Sequence, residues 1–291
     1  MKKCGLLLIH GIFTSAQDYD LPFQKSLFAQ IKYLGKDPDD IAYQKVYWAE
    51  YLNIRQKQYY DDCLRNPLNI FGWNWARKFV LNGLADASAY EREYGEENKS
   101  YFNILRKIHT AVRAIRKALT SEDKPLIIAA HSLGGFIVSN YIWDCHKIRD
   151  GVSLGWPQDI MPQGPFEQMV NLAGIITFGC NIPLFVIGHD PIEAIRFPHP
   201  QLPATWKARA QWQNYYDPID VLGSPLKDLP YSYDGIVKPS GKYAYSDVIT
   251  SDHPIAVRGL NPFSWTPMSH VFYWTHWKFI RPVANQIAQF L

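Results

Sequence analysis

The sequence predicts an α/β fold, a mostly parallel central sheet with helices on both faces, on three observations. Short apolar runs without alternation recur along the chain, the pattern of strands covered on both sides. Segments with apolar residues at every third or fourth position separate them, the pattern of helices packed on a sheet. The run LIIAAHSLGGFIV at 126–138 passes from strand to tight turn to helix, with Ser132 at the turn.

Each element is justified in turn. Residues 5–9 (GLLLI) form the first strand, ended by Gly11. LPFQKSLFAQIKYL at 21–34 has helical periodicity, and the aromatic and β-branched IAYQKVYW at 41–48 reads as a second strand. Strand, helix, strand is the repeating unit of a doubly wound sheet. Residues 49–97 break the rhythm with polar and aromatic residues mixed around Pro67, and are expected to form an inserted helical cap. A long helix is expected over 98–119, with Leu105, Ile108, Val112, Ile115 and Leu119 on one stripe. Strand 125–130, Ser132 and a helix over 133–146 follow. Gly, Pro and Gln mark 151–168 as a surface loop, and LAGIITFG at 172–179 as a buried strand. Five prolines and two histidines make 183–209 a second irregular excursion. WQNYYD at 212–217 and KYAYSDVI at 242–249 read as strands, and a helix from about 270 closes the chain. With no internal repeats, one domain over 1–291 is expected, its insertions on loops at the carboxyl ends of the strands.

Composition narrows the function. A chain of 291 residues buries roughly three quarters of its extended surface when compact. Thirty basic against 27 acidic side chains leave a net charge of +3, and no dense Lys/Arg tract tracks phosphates, so nucleic-acid binding is not expected. The basic stretch at 105–119 reads as the solvated edge of a packed helix. Cys4, Cys63, Cys145 and Cys180 follow no zinc or redox spacing, which fits a reducing compartment. MKKCGLLLIHG imitates a signal peptide, but its apolar run is too short and lacks a small-residue cleavage site. No segment approaches the ~20 apolar residues of a membrane span. A cytoplasmic location is the expectation, and the sequence leaves the oligomeric state open.

Chemistry centres on Ser132. A serine hydroxyl needs a histidine to take its proton, a carboxylate to hold that histidine, and donors for the oxyanion. The turn demands small neighbours, and Ala130 and Gly134 flank the serine at two residues' distance, giving A-x-S-x-G where the usual pattern is G-x-S-x-G. Leu133 opens the following helix, where unpaired amides favour developing negative charge. For the acid, NYYDPIDVLGSPL offers Asp217 and Asp220; for the base, His253, His270 and His276 compete.

With these motifs the chain resembles the α/β-hydrolases, among the lipase- and esterase-like serine hydrolases. The resemblance covers most of the chain and is weakest at 49–97 and 150–170. It implies an α/β-hydrolase fold and reads HGIF at 10–13 as the oxyanion loop, with the backbone N–H groups of Ile12 and Leu133 as donors and Phe13 as a less favoured one. His10 is expected to brace that loop. The family's order favours Asp220, before Val221, over Asp217, and favours His270, in MSHVFYW, over His253 and His276. The resemblance implies a lipase- or carboxylesterase-like enzyme cleaving a carboxylic ester through an acyl-enzyme, with no metal or organic cofactor. Thioesterase and acyltransferase chemistry use the same residues, and a non-catalytic interaction protein on the hydrolase scaffold is the reading from another class. The expected partner is a small-molecule or lipid-like ester, with Trp48, Phe71, Trp73, Trp75, Phe185 and Trp206 as candidates for an apolar pocket.

Overall fold

A computed structural model describes residues 1–12, 14, 16–50, 57–59, 61–62, 99–188, 192, 194–227, 229, 249–255 and 267–291. The expected cap at 49–97 therefore lies almost wholly outside the described residues.

Among the described residues six strands form one sheet: β1 (Cys4–Ile9), β2 (Ile41–Val46), β3 (Leu126–His131), β4 (Leu172–Phe178), β5 (Gln211–Tyr216) and β6 (Ile249–Pro254), in the order β2-β1-β3-β4-β5-β6. Every pairing is parallel. All residues of β1, β3 and β4 are buried, which is why these strands read as unbroken apolar runs.

The chain winds outward from β1 to β2, then returns past β1 to β3 and runs on in the opposite direction. Right-handed crossovers in opposite directions put their helices on opposite faces. They also leave a crevice where the direction reverses, between the carboxyl ends of β1 and β3. The loop from His10 to Ile12 and the turn at Ser132 both leave the sheet there.

Among the described residues four longer helices cover the faces: α1 (Leu21–Tyr33), α2 (Lys99–Leu119), α3 (Leu133–Arg149) and α4 (Trp277–Ala288). Helix α1 packs on α4, α2 on β1 and β2, and α3 on β1 and β3. The stripe Leu105, Ile108, Val112, Ile115 and Leu119 of α2 is fully buried. Truncating any one of them to alanine would cost about 2–5 kcal/mol. Four basic residues on its outer edge are paired: Arg106 with Asp159, Lys107 with Glu50, and Arg113 and Arg116 with Glu167. That edge is a solvated surface with most of its charge paired.

Several boundaries differ from the sequence reading. Only Ile249 of the strand expected over 242–249 is described, and it is the first residue of β6. His253 therefore sits inside β6, stacked on Tyr215 at 4.9 Å, and not beyond the last strand. The helix expected from 270 is divided into a 3₁₀ helix at Pro267–Thr275 and then α4. His270 lies in the former. His276 is the N-cap of the latter, its ring accepting from Lys278 N–H; it is not inside a helix as expected.

The excursion after β4 begins at the carboxyl end of the sheet with a short helix, Ile182–Val186, and ends with Ala204–Lys207. Because β5 is parallel to β4, the chain must return to the amino end of the sheet before β5 starts. Trp206 is on that return. Its indole N–H donates to the carbonyl of Asp123 at 2.7 Å and its ring packs on Phe290. Asp123 precedes β3 while Ser132 follows it, so Trp206 stands at the far end of the sheet from Ser132. This corrects its expected place in a pocket there.

Candidate active site

Ser132 connects β3 to α3 with φ 54° and ψ −128°. An L-residue held there stores roughly 1–3 kcal/mol of strain, so its surroundings must fix it. Its N–H donates to Phe178 O at 3.0 Å, and its own carbonyl accepts from Gly135 N–H at 2.9 Å. Glycines let three backbones close on the turn. A Cβ on Gly11 would lie 2.9 Å from Ser132 Oγ, one on Gly134 2.5 Å from His10 O, and one on Gly135 2.8 Å from Cys180 Sγ. The A-x-S-x-G pattern supplies Gly134, the next residue is Gly135, and the His-Gly pair supplies Gly11.

Asp220 and His270 meet at this serine. His270 Nε2 lies 2.6 Å from Ser132 Oγ, and His270 Nδ1 lies 2.8 and 3.0 Å from the two oxygens of Asp220. An ionised carboxylate only accepts, so Nδ1 carries the ring proton and Nε2 is free to accept from the hydroxyl. Ser132 and His270 expose no surface, and Asp220 only 4%. Burial pushes the Asp220 carboxyl up, but donors from His270, Leu222 and Tyr273 outweigh it and hold the pKa below the ordinary value. Leu222 N–H donates to Oδ1 at 3.0 Å and Tyr273 O–H to Oδ2 at 2.9 Å.

The competing residues are placed elsewhere. Asp217 accepts from Ile219 N–H with its side chain and from Asp220 N–H with its carbonyl, at 3.2 and 2.9 Å. It shapes the turn that presents Asp220. His10 is fully buried and held neutral, its pKa lowered to about 3 chiefly by burial. Its ring joins Gly11 O at 2.6 Å and Trp48 N–H at 3.1 Å, so it ties the loop after β1 to the chain after β2. Trp48 stacks flat on that ring at 5.0 Å and donates to His10 O at 2.7 Å. At 2% exposed it supports the loop from behind and offers no face to a ligand, a correction to its expected pocket role. Phe185 stacks on Phe136 at 4.6 Å above α3. Phe71, Trp73, Trp75 and Phe13 lie outside the described residues.

Ile12 and Leu133 bracket the serine, one beyond Gly11 and one at the first position of α3. Both are buried, and among the described residues neither backbone N–H has a hydrogen-bond partner. Free amides beside a buried hydroxyl and at a helix N-terminus suit a developing oxyanion.

Sequence reasoning missed four neighbours. His131 donates from Nε2 to the carbonyl of His270 at 2.8 Å, and burial lowers its pKa to about 3, so it anchors that segment as a neutral ring. Gly179, at φ 55°, and Gly223 crowd the acid: a Cβ would come within 3.2 and 2.5 Å of Asp220 Oδ2. Tyr273 is the fourth. Its spacing of three from His270, one turn of helix, was the available signal.

Among the described residues no group of three or more His, Cys, Asp or Glu is placed to hold a metal ion, and no helix is long and apolar enough to cross a membrane. No protein-family model, curated protein or solved structure matches the chain.

Proposed function

We propose that this protein is a serine hydrolase of the α/β-hydrolase type, cleaving a carboxylic ester through an acyl-enzyme. The observation that carries the proposal is the unbroken chain from Ser132 Oγ through His270 to Asp220, at 2.6 and 2.8 Å, built on a serine at positive φ.

In the acylation half, His270 Nε2 takes the proton of Ser132 as Oγ attacks the ester carbonyl. The N–H groups of Ile12 and Leu133 receive the oxyanion. Asp220 faces the imidazolium and stabilises it without taking its proton. His270 then returns the proton to the leaving alkoxide, which departs as the alcohol. In the second half His270 deprotonates water, hydroxide adds to the acyl carbonyl, and the proton passes back to Ser132 Oγ as the acid leaves.

Apolar side chains support an uncharged substrate. Val221 and Val271, next to the acid and base, are 79% and 37% exposed, and Leu184 and Ile187 after β4 are 66% and 70% exposed. Each methylene buried on such surface contributes about 0.8 kcal/mol. Hydrolysis of a p-nitrophenyl ester series from acetate to palmitate, on wild type and Ser132→Ala, tests the proposal. Turnover that rises with acyl length and vanishes in the variant is expected; turnover equal in both proteins would sink it.

A further inference from the structure

Tyr273 joins the acid to the base in a way that ordinary packing does not require. Its side chain is fully buried. Its hydroxyl donates to Asp220 Oδ2 at 2.9 Å and accepts from the backbone N–H of Asp217 at 2.7 Å. Asp217 and Asp220 are the two ends of the turn that carries the acid, closed by the bond from Asp220 N–H to Asp217 O. One phenol thus grips both ends of that turn. It also stands one helical turn after His270 in the 3₁₀ helix Pro267–Thr275, so the same segment that carries the base holds the acid.

The acceptor capacity of Asp220 is then accounted for. Oδ1 takes Leu222 N–H at 3.0 Å, Oδ2 takes Tyr273 O–H at 2.9 Å, and His270 Nδ1 bridges both oxygens at 3.0 and 2.8 Å. Gly223 and Gly179 close the remaining space around Oδ2. Burial and the neighbouring Asp220 charge raise the phenol well above its ordinary pKa, so it stays protonated as a donor.

We infer that Tyr273 is a positioning residue, fixing the Asp220 carboxylate in the plane and at the distance that His270 needs. The inference rests on the serine-hydrolase reading, in which Asp220 stabilises the charged base. Tyr273 touches neither substrate nor the reacting atoms and acts only through Asp220. Geometry of this kind matters because a misplacement of about 1 Å can cost roughly a hundredfold in rate.

The experiment is a double-mutant cycle on the full chain, with p-nitrophenyl butyrate as substrate and circular dichroism as the check of folding. Y273F is expected to lower kcat about tenfold with KM unchanged. In a D220A background the same change is expected to do nothing further, because the group it positions is gone. A Y273F enzyme with wild-type kcat overturns the inference and leaves the serine mechanism standing. So does a loss that multiplies undiminished onto D220A, since Tyr273 then acts elsewhere. An inert wild type overturns both. A second measurement does not depend on the folding of Y273F. The wild-type proton spectrum should hold a slowly exchanging Tyr273 hydroxyl that D220A releases to solvent, and its absence in wild type contradicts the bond.

Discussion

Among the described residues two chains run from carboxylate through imidazole to hydroxyl, and they differ in what surrounds them. One is Asp220–His270–Ser132. The other is Glu167–His109–Tyr141, where His109 Nδ1 meets the Tyr141 hydroxyl at 2.8 Å and Nε2 stands 3.4 Å from Glu167. All members of both chains are almost wholly buried. In the second, permanent cations have taken the carboxylate: Arg116 at 2.8 Å and Arg113 at 3.3 Å, with Gln163 N–H at 2.9 Å. The charges of Glu167 and Asp159 favour His109 as an ion, but they are outweighed. Burial and Arg113 lower its pKa to about 4. Its hydroxyl is a phenol in mid-helix, pushed up by burial and flanked by no strained backbone. In the first chain the acid's partners are neutral donors and the imidazole, and the hydroxyl sits on a strained turn between two free amides. Three residue types in a row therefore do not make a site. Competing cations and backbone geometry separate the two chains, and on the proposed reading only the first reacts.

That contrast can be broken from either side. The largest expected effect is Ser132→Ala, which should lower kcat by about 10⁴- to 10⁶-fold, while Tyr141→Phe leaves ester turnover unchanged. Asp220→Asn should cost about 10⁴-fold in kcat, by turning the imidazole to the wrong tautomer. Asp217→Asn, at a side chain that accepts the turn N–H of Ile219, should cost far less, and equal losses would undo the choice between them. Gly11→Ala drives a methyl onto Ser132 and displaces Ile12 N–H, and a fall of about a hundredfold is expected in kcat. The smallest effect belongs to the second chain. Glu167→Gln should leave kcat intact and cost about 1–2 kcal/mol in denaturant unfolding, the half-exposed arginines softening the loss.

The two carboxylates share one pH signature. At each, burial opposes the charge and hydrogen-bond donors outweigh it, so both titrate below their ordinary values. A depressed acid stabilises the fold fully above its unfolded pKa, about 4. That stability is lost as pH falls through the lower folded value. Acid unfolding curves of wild type and Glu167→Gln should therefore converge below about pH 4, with the variant's stability changing less on acidification. A difference that stays constant with pH would deny Glu167 a charged role.

Much of this was legible in the sequence because parallel strands buried on both faces write themselves as apolar runs. β1, β3 and β4 were placed to within a residue or two, and the strand–turn–helix around Ser132 followed from small residues that a tight turn needs. The order of Asp220 and His270 along the chain was legible too, but their approach was not. Nothing in the spacing of 50 residues between them encodes a distance. Trp206 was misplaced because aromatic character does not reveal which end of a sheet a crossover has reached; the parallel pairing of β4 and β5 does. Trp48 was misjudged because a stack on a buried histidine looks, in sequence, like any aromatic near a loop. Tyr273, Gly179 and Gly223 act on Asp220 through contacts between segments, and beyond the spacing of Tyr273 from His270 only the folded chain names them.

The most direct measurement is labelling with a fluorophosphonate, whose phosphorus is attacked by an activated serine oxygen with loss of fluoride. One adduct per chain is expected, mapped by peptide mass to Ser132, formed far more slowly in Asp220→Asn and at an unchanged rate in Tyr141→Phe. An intact wild type left unlabelled, or labelled at another residue, would contradict the assignment of Ser132, His270 and Asp220 as the reacting chain.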